Sequence, residues 1–248
     1  MKHSLSSNQY YVTLLVLFFL GIMALSVFVN DIDLLSSVSV PVGISATVLT
    51  FSAGPKGFVI SLIVMLAISW KLIPTRSERV KKIVHLGLIL VLGFVCKSAL
   101  KQLTEIPRPY TEVLTQNLLI PQPSHFYNLS SLQKNEVIAE MGSVVSGWRT
   151  SQWQGERDYS FPSGHTIFAA VCLAFFGNVF LRNGRYLLTL AISAWAMGVA
   201  YSRLWFGMHR LIDLLGSVVF VLLIYLFADK LERLSDKILS WCLKAKLG

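Results

Sequence analysis

Residues 162–181 read PSGHTIFAAVCLAFFGNVFL, a Pro-Ser-Gly-His opening followed by sixteen residues without a charge. A run of this kind predicts a buried helix on the scale of a bilayer crossing, which takes about 20 apolar residues. At its mouth Ser163 is a capping residue and Gly164 a small one, placed where free backbone N–H groups point outward. That is an anion-binding arrangement, because the helix N-terminus carries partial positive charge. His165 stands at the same edge, and an ionisable side chain kept at the rim of an apolar segment marks function.

Working outward from that segment, the rest of the chain has the same character. Of 248 residues, 54% are hydrophobic and 14% charged. Largely apolar segments on the scale of a span recur near 10–29, 54–73, 83–100, 186–204 and 210–228, which with 164–181 makes six. The expected fold is an all-α integral membrane protein, a six-transmembrane helix bundle forming a single domain over 1–248. Tyr10 to Val29 reads as a retained anchor, since the apolar run is too long for a signal peptide and no small-x-small site ends it. Residues 34–55 are uncharged as well, but their Ser, Gly and Pro content predicts a re-entrant or interfacial stretch. Residues 101–160, inserted between two spans, are polar, with a helix expected near 129–141. Fifty or so residues are too few for an independent core, so they are expected to form a small extracytoplasmic helical cap packed on the bundle.

Lys and Arg collect on the cytoplasmic side of membrane proteins. With the N-terminus inside, residues 1–9, 71–82, 182–185 and 229–248 are cytoplasmic and hold 13 of the 22 Lys and Arg. Both termini are then cytoplasmic. The net charge of +9 follows from this topology and from attraction to anionic lipid headgroups. No basic patch interleaved with aromatics occurs on a soluble segment, which excludes nucleic acid as a partner. Membrane lipids are the expected partners, and no obligate protein partner is inferred. The tail from Asp229 sets Leu231, Leu234, Ile238 and Trp241 at helical spacing, as in a helix on the inner membrane surface. Cys96, Cys172 and Cys242 show neither metal nor disulfide spacing and read as small apolar residues.

Two further clusters accompany Pro162-Ser163-Gly164-His165. One is Lys101-x6-Arg108-Pro109; the other is Ser202-Arg203-x5-His209-x3-Asp213. In the six-span topology all of them fall on one side, because spans three and five end outside while spans four and six begin there. Lys101, Arg108 and Arg203 are fixed cations suited to the oxygens of a phosphoryl group. His209 and Asp213, four apart, are expected to share a helix face, the carboxylate fixing the imidazole tautomer and freeing the other nitrogen as nucleophile. His165 supplies a second imidazole for proton transfer to the leaving alkoxide. One other class fits part of this pattern: a lipid or anion transporter with a His–Asp proton relay. Polar residues gathered at one rim, rather than at mid-membrane, favour chemistry over transport.

The three clusters resemble the signature of the type-2 phosphatidic acid phosphatase superfamily. The match runs through Lys101, Arg108, Pro109, Pro162, Ser163, Gly164, His165, Ser202, Arg203, His209 and Asp213. Within it the chain is similar to the phosphatidylglycerophosphatase B subfamily in its six expected spans, its long insert, Phe126-Tyr127 and the stretch from Phe161 to Ala170. The resemblance implies a phosphohistidine on His209, Asp213 as its orienting partner and His165 as proton donor. Lys101, Arg108, Ser163, Gly164 and Arg203 would hold the phosphate, with no metal or other cofactor. It further implies a bacterial inner-membrane enzyme whose active site faces the periplasm. The main substrate would be phosphatidylglycerophosphate, with phosphatidate, diacylglycerol pyrophosphate and undecaprenyl pyrophosphate as further ones. Undecaprenyl pyrophosphate as the main substrate is the alternative.

Overall fold

The structure is a computed structural model that describes residues 7–29 and 32–227, and beyond them 230–231, 233–237 and 240. It is all-helical, with no strand among the described residues. Helix α1 spans Ser7–Val29, α2 Val40–Ala53, α3 Phe58–Ser69 and α4 Arg76–Thr104. The insert holds the short helices α5 (Pro109–Gln116), α6 (His125–Asn128), α7 (Ser131–Glu140) and α8 (Gly147–Gly155). Then come α9 (Gly164–Arg182), α10 (Tyr186–Trp205) and α11 (Leu211–Leu226).

The segment quoted at the outset is the hub. Every residue of α9 from His165 to Phe180 is buried, as expected of a helix that is apolar all round. It packs against α1, α2, α3, α4, α10 and α11. The surrounding helices turn Leu17, Leu20, Ile60, Ile63, Val91, Val95 and Leu187 outward. An apolar exterior of that extent is suited to lipid rather than water.

Four helices, α1, α4, α9 and α10, are long and apolar enough to cross a membrane; the bent pair α2–α3 raises this to five. The sixth expected segment forms α11, whose 16 residues reach about 24 Å and so fall short of a hydrocarbon core. The expected span at 54–73 also differs. Gly54-Pro55-Lys56-Gly57 interrupts it, α3 begins only at Phe58, and α2 meets α3 at a bend of 75°. Gly54 is extended and Pro55 follows it, so the chain turns instead of continuing as one helix. Helix α2 falls inside the stretch read as re-entrant or interfacial. Of the expected tail helix, Asp229, Ile238 and Trp241 lie outside the described residues, as does Cys242.

The insert has its own apolar cluster, in which Tyr110, Phe126, Ile138, Met141 and Trp153 pack with Phe206 and Met208. Tyr110 stacks on Trp153 at 5.1 Å and meets Phe126 edge-on. Trp153 Nε1 donates to the Phe206 carbonyl at 2.7 Å, and Tyr110 N–H to the Gly207 carbonyl at 3.0 Å. These bonds seat the insert on the turn between α10 and α11. Gly207 makes that turn with a φ of +67°, a backbone conformation that favours glycine. The helix expected near 129–141 is α7, which opens with a Ser130–Gln133 capping box.

Candidate active site

Helix α4 starts at a Thr75–Glu78 capping box and ends where Glu105 takes a left-handed conformation ahead of Ile106-Pro107. Lys101 is therefore in its last turn. Pro109 opens α5, where the absent N–H is harmless. Arg108 precedes it with an extended backbone, held by its N–H donating to Tyr127 Oη at 2.8 Å. Arg203 occupies the last turn of α10, and His165 the first turn of α9. The C-terminal ends of two helices and the N-terminal end of another thus meet under the insert.

What joins them is a pair of carboxylates from the segment leading into Pro162. Glu156 takes Arg203 Nη2 on Oε1 at 2.8 Å and Arg108 Nη2 on Oε2 at 3.2 Å; His165 Nε2 stands 3.6 Å from Oε1. Asp158 takes Arg108 Nη2 at 2.5 Å and Lys101 Nζ at 3.3 Å. Lys101 also donates to the Tyr159 carbonyl, and Arg203 Nη1 to Thr50 Oγ1 of α2. Arg108 Nη1 lies 3.3 Å from His209 Nε2. The two imidazoles are therefore joined through one guanidinium and one carboxylate.

His209 and Asp213 meet, but not as two residues of one helix. Helix α11 begins at Leu211 and His209 lies in the turn before it. Asp213 folds back to cap the helix, its Oδ2 accepting the Arg210 N–H at 2.8 Å and standing 3.4 Å from His209 Nδ1. The ring thus turns Nδ1 toward the carboxylate and Nε2 toward Arg108. Ser160 Oγ joins the pair, donating to Asp213 Oδ2.

Ser163 caps α9 as expected, its Oγ accepting from Thr166 N–H at 3.4 Å, while its own N–H is bonded to Ser217 Oγ at 2.9 Å. A Cβ on Gly164 would lie 2.9 Å from the flexible Lys97 side chain, which can give way. Gly54 is the tighter position, since its Cβ would come within 2.8 Å of the buried His165 Nε2. The bend between α2 and α3 is thus fitted against the His165 imidazole. Beside it opens a cavity of about 460 Å³. Phe58 and Phe94 give it an apolar wall, and Lys97, Lys101, Glu156 and His165 a polar one.

Burial alone would raise the Glu156 carboxyl, but Arg203, His165, Arg108 and Lys101 hold it well below the usual carboxylate range. Burial likewise opposes ionisation of Asp158, and Arg108 and Lys101 outweigh it. Both acids are therefore charged at neutral pH. His209 is driven well below its ordinary value by burial, then by Arg108, Arg203 and Lys101. Its ring is neutral, with a lone pair available on Nε2.

The sequence profile of the PAP2 superfamily matches residues 82–233, a range that includes the site groups other than Thr50, Gly54 and Phe58. The chain belongs to the PAP2 superfamily. Among curated proteins, it is 32% identical to phosphatidylglycerophosphatase B of Haemophilus influenzae over 150 residues, 57% of this chain and 62% of that one. It is 34% identical to phosphatidylglycerophosphatase B of Escherichia coli K12 over 138 residues, 54% of each chain. The chain thus spans little more than half the length of the curated relatives it matches.

In this PAP2 chain the structure brings together the charged and imidazole groups singled out from the sequence: Lys101, Arg108, His165, Arg203, His209 and Asp213. It adds Thr50, Gly54, Glu156, Asp158 and Ser160, which sequence reasoning missed. The acids had a signal. Three cations gathered in a site need countercharges when buried, and Glu156-Arg157-Asp158 lies just ahead of Pro162. Thr50 and Gly54 had none, because only the bend between α2 and α3 carries them to the site.

Proposed function

We propose that the protein is a metal-independent lipid phosphatase that releases the terminal phosphate of phosphatidylglycerophosphate through a phosphohistidine. The observation that carries this reading is the placement of His209, whose Nε2 faces Arg108 while Nδ1 faces Asp213. The substrate phosphoryl group takes the place of the Glu156 and Asp158 carboxylates on Arg108, Arg203 and Lys101. His209 Nε2 attacks phosphorus, the bond to the lipid oxygen breaks, and His165, which takes up a proton together with the anionic substrate, gives that proton to the departing alkoxide. His165 then takes a proton from water as that water attacks the phosphohistidine, releasing orthophosphate and restoring His209. Asp213 holds the Nδ1 proton throughout and stabilises the charge that develops on the ring. The guanidinium and ammonium groups supply the positive charge that a metal provides elsewhere.

A lipid substrate is supported by the cavity beside His165, whose Phe58 and Phe94 wall suits an acyl chain while its polar wall meets the headgroup. Likeness to proteins named phosphatidylglycerophosphatase B supports phosphatidylglycerophosphate among lipid phosphates. Phosphatidate, diacylglycerol pyrophosphate and undecaprenyl pyrophosphate share the same terminal phosphoryl group and are proposed as further substrates. We further propose six crossings, with the bent pair α2–α3 and the short α11 completing the set, the latter at the cost of local thinning of the bilayer, and the insert as an extracytoplasmic cap. The charge bias then puts both termini in the cytoplasm and the site in the periplasm of a bacterial inner membrane.

The test is phosphate release by detergent-purified protein against a panel of lipid phosphates and pyrophosphates, with His209→Ala as the blank and with a chelator present. Hydrolysis of phosphatidylglycerophosphate that persists in chelator and vanishes in the blank is expected. Activity that the chelator removes and Mg²⁺ restores overturns the metal-independent mechanism.

A further inference from the structure

Ser160 closes the insert, one residue before Phe161-Pro162, and is fully buried. Its N–H donates to the Ile106 carbonyl at 2.8 Å, which ties it to the chain just past α4. Its hydroxyl donates to Asp213 Oδ2 and lies 3.3 Å from His209 Nδ1. Oδ2 also accepts the Arg210 N–H, whereas Asp213 Oδ1, buried like the rest of the side chain, has no partner. One carboxylate oxygen therefore collects the contacts that orient His209. The direct Nδ1–Oδ2 separation of 3.4 Å is long for a strong hydrogen bond, since N–H···O bonds fall at about 2.7–3.2 Å. Ser160 Oγ is at least as near to Nδ1 as the carboxylate is.

We propose that Ser160 is a positioning residue for the His209–Asp213 pair. Its oxygen shares the His209 Nδ1–H with Asp213 while its proton goes to the carboxylate, so that serine, imidazole and carboxylate form one closed set. The arrangement fixes the tautomer with hydrogen on Nδ1 and leaves the Nε2 lone pair toward Arg108. It also pins the carboxylate, which otherwise has only one backbone N–H and one long contact to hold it. Because Ser160 belongs to the insert, seating of the insert and alignment of the nucleophile are a single event. The inference rests on His209 being the nucleophile.

The experiment compares Ser160→Ala, Ser160→Thr, Asp213→Asn and Ser160→Ala/Asp213→Asn with wild type, each checked by thermal unfolding in detergent. Loss of a hydrogen bond to a charged group predicts about a 10- to 100-fold fall in kcat for Ser160→Ala, with KM changed less than about twofold. Without the serine proton Asp213 is more strongly negative toward the ring, so the acid limb of the kcat/KM profile moves to higher pH. Groups that act as a unit are non-additive, so the double variant should be no slower than Asp213→Asn alone. Ser160→Thr keeps the hydroxyl and should retain more turnover than Ser160→Ala; Ser160→Cys provides the same comparison should alanine prevent folding. Wild-type kcat in Ser160→Ala, or losses that multiply in the double variant, overturn the proposal. Full activity in His209→Ala would instead remove the phosphohistidine reading beneath it.

Discussion

Replacing Glu156 with glutamine separates what this carboxylate does for the fold from what it does to substrate. Its oxygens occupy the donors that a phosphoryl group needs, Arg203 Nη2 at 2.8 Å and Arg108 Nη2 at 3.2 Å, beside His165 at 3.6 Å. Charge-assisted bonds of this kind are worth about 1.5–3 kcal/mol each. Glutamine keeps one acceptor oxygen and loses the charge, so the competing interaction weakens by about 1.4–2.8 kcal/mol, equal to about 10- to 100-fold in affinity. Inorganic phosphate, as product inhibitor, should bind that much more tightly to Glu156→Gln. The protein alone should be less stable, because Arg203 is fully buried and its Nε already lacks a partner. Added phosphate should then raise the Tm of the variant more than that of wild type, since a ligand stabilises by RT ln(1 + [L]/Kd). Phosphate inhibition and thermal unfolding, read on one preparation, give both numbers. Unchanged or weaker phosphate binding in a folded Glu156→Gln protein would show that the carboxylate does not compete for the site.

His209→Ala and His165→Ala should each reduce turnover to background while lipid binding survives, checked by steady-state hydrolysis and equilibrium binding. Arg203→Lys should lower kcat/KM by about 10-fold or more, because a single ammonium cannot hold both Glu156 and Thr50 or present a planar fork to phosphate. Gly54→Ala puts a methyl group 2.8 Å from His165 Nε2; displacing that ring should cut kcat by about 10- to 100-fold with the Tm nearly unchanged. The carboxyls of Glu156 and Asp158 are depressed by the fold. Their stabilisation is complete above the unfolded carboxyl values of about 4 and is lost as pH falls through the lower folded values. Tm should therefore drop below about pH 4, and Glu156→Gln should flatten that dependence.

Much of this molecule is readable from spacing, because lipid-facing helices must be apolar and a site at their ends must not be. Helices α1, α4, α9 and α10 follow from largely apolar runs alone. Convergence of Lys101, Arg108, His165, Arg203 and His209 at one end of the bundle follows from counting spans. The α2–α3 region is less legible: Gly54-Pro55 looks from the sequence like the start of a span, and that the bend it makes lies against His165 shows only in the folded chain. The expectation for His209 and Asp213 named the right pair through the wrong geometry. Four-residue spacing fits one helix turn, but it equally fits a residue in the preceding turn opposite an N3 capping carboxylate, and Arg210 as N-cap decides for the second.

The site's acids escaped notice because motifs of this kind record what touches phosphate and not what balances charge without it. Arg108 and Arg203 are both essentially buried, and an unpaired buried cation is strongly destabilising. A chain that gathers such groups at one end of an apolar bundle needs anions of its own, and the segment 155–160 supplies them. It carries Glu156 and Asp158, it is covalently joined to the Pro162–His165 turn, and it ends in Ser160 on Asp213. The phosphate-facing acids and the His209–Asp213 pair are therefore linked through one short stretch of chain. That continuity predicts coupling: with Glu156→Gln in place, Ser160→Ala should change phosphate affinity by a different factor from the one it shows in wild type. Equal factors would mean that the two ends of the segment act independently.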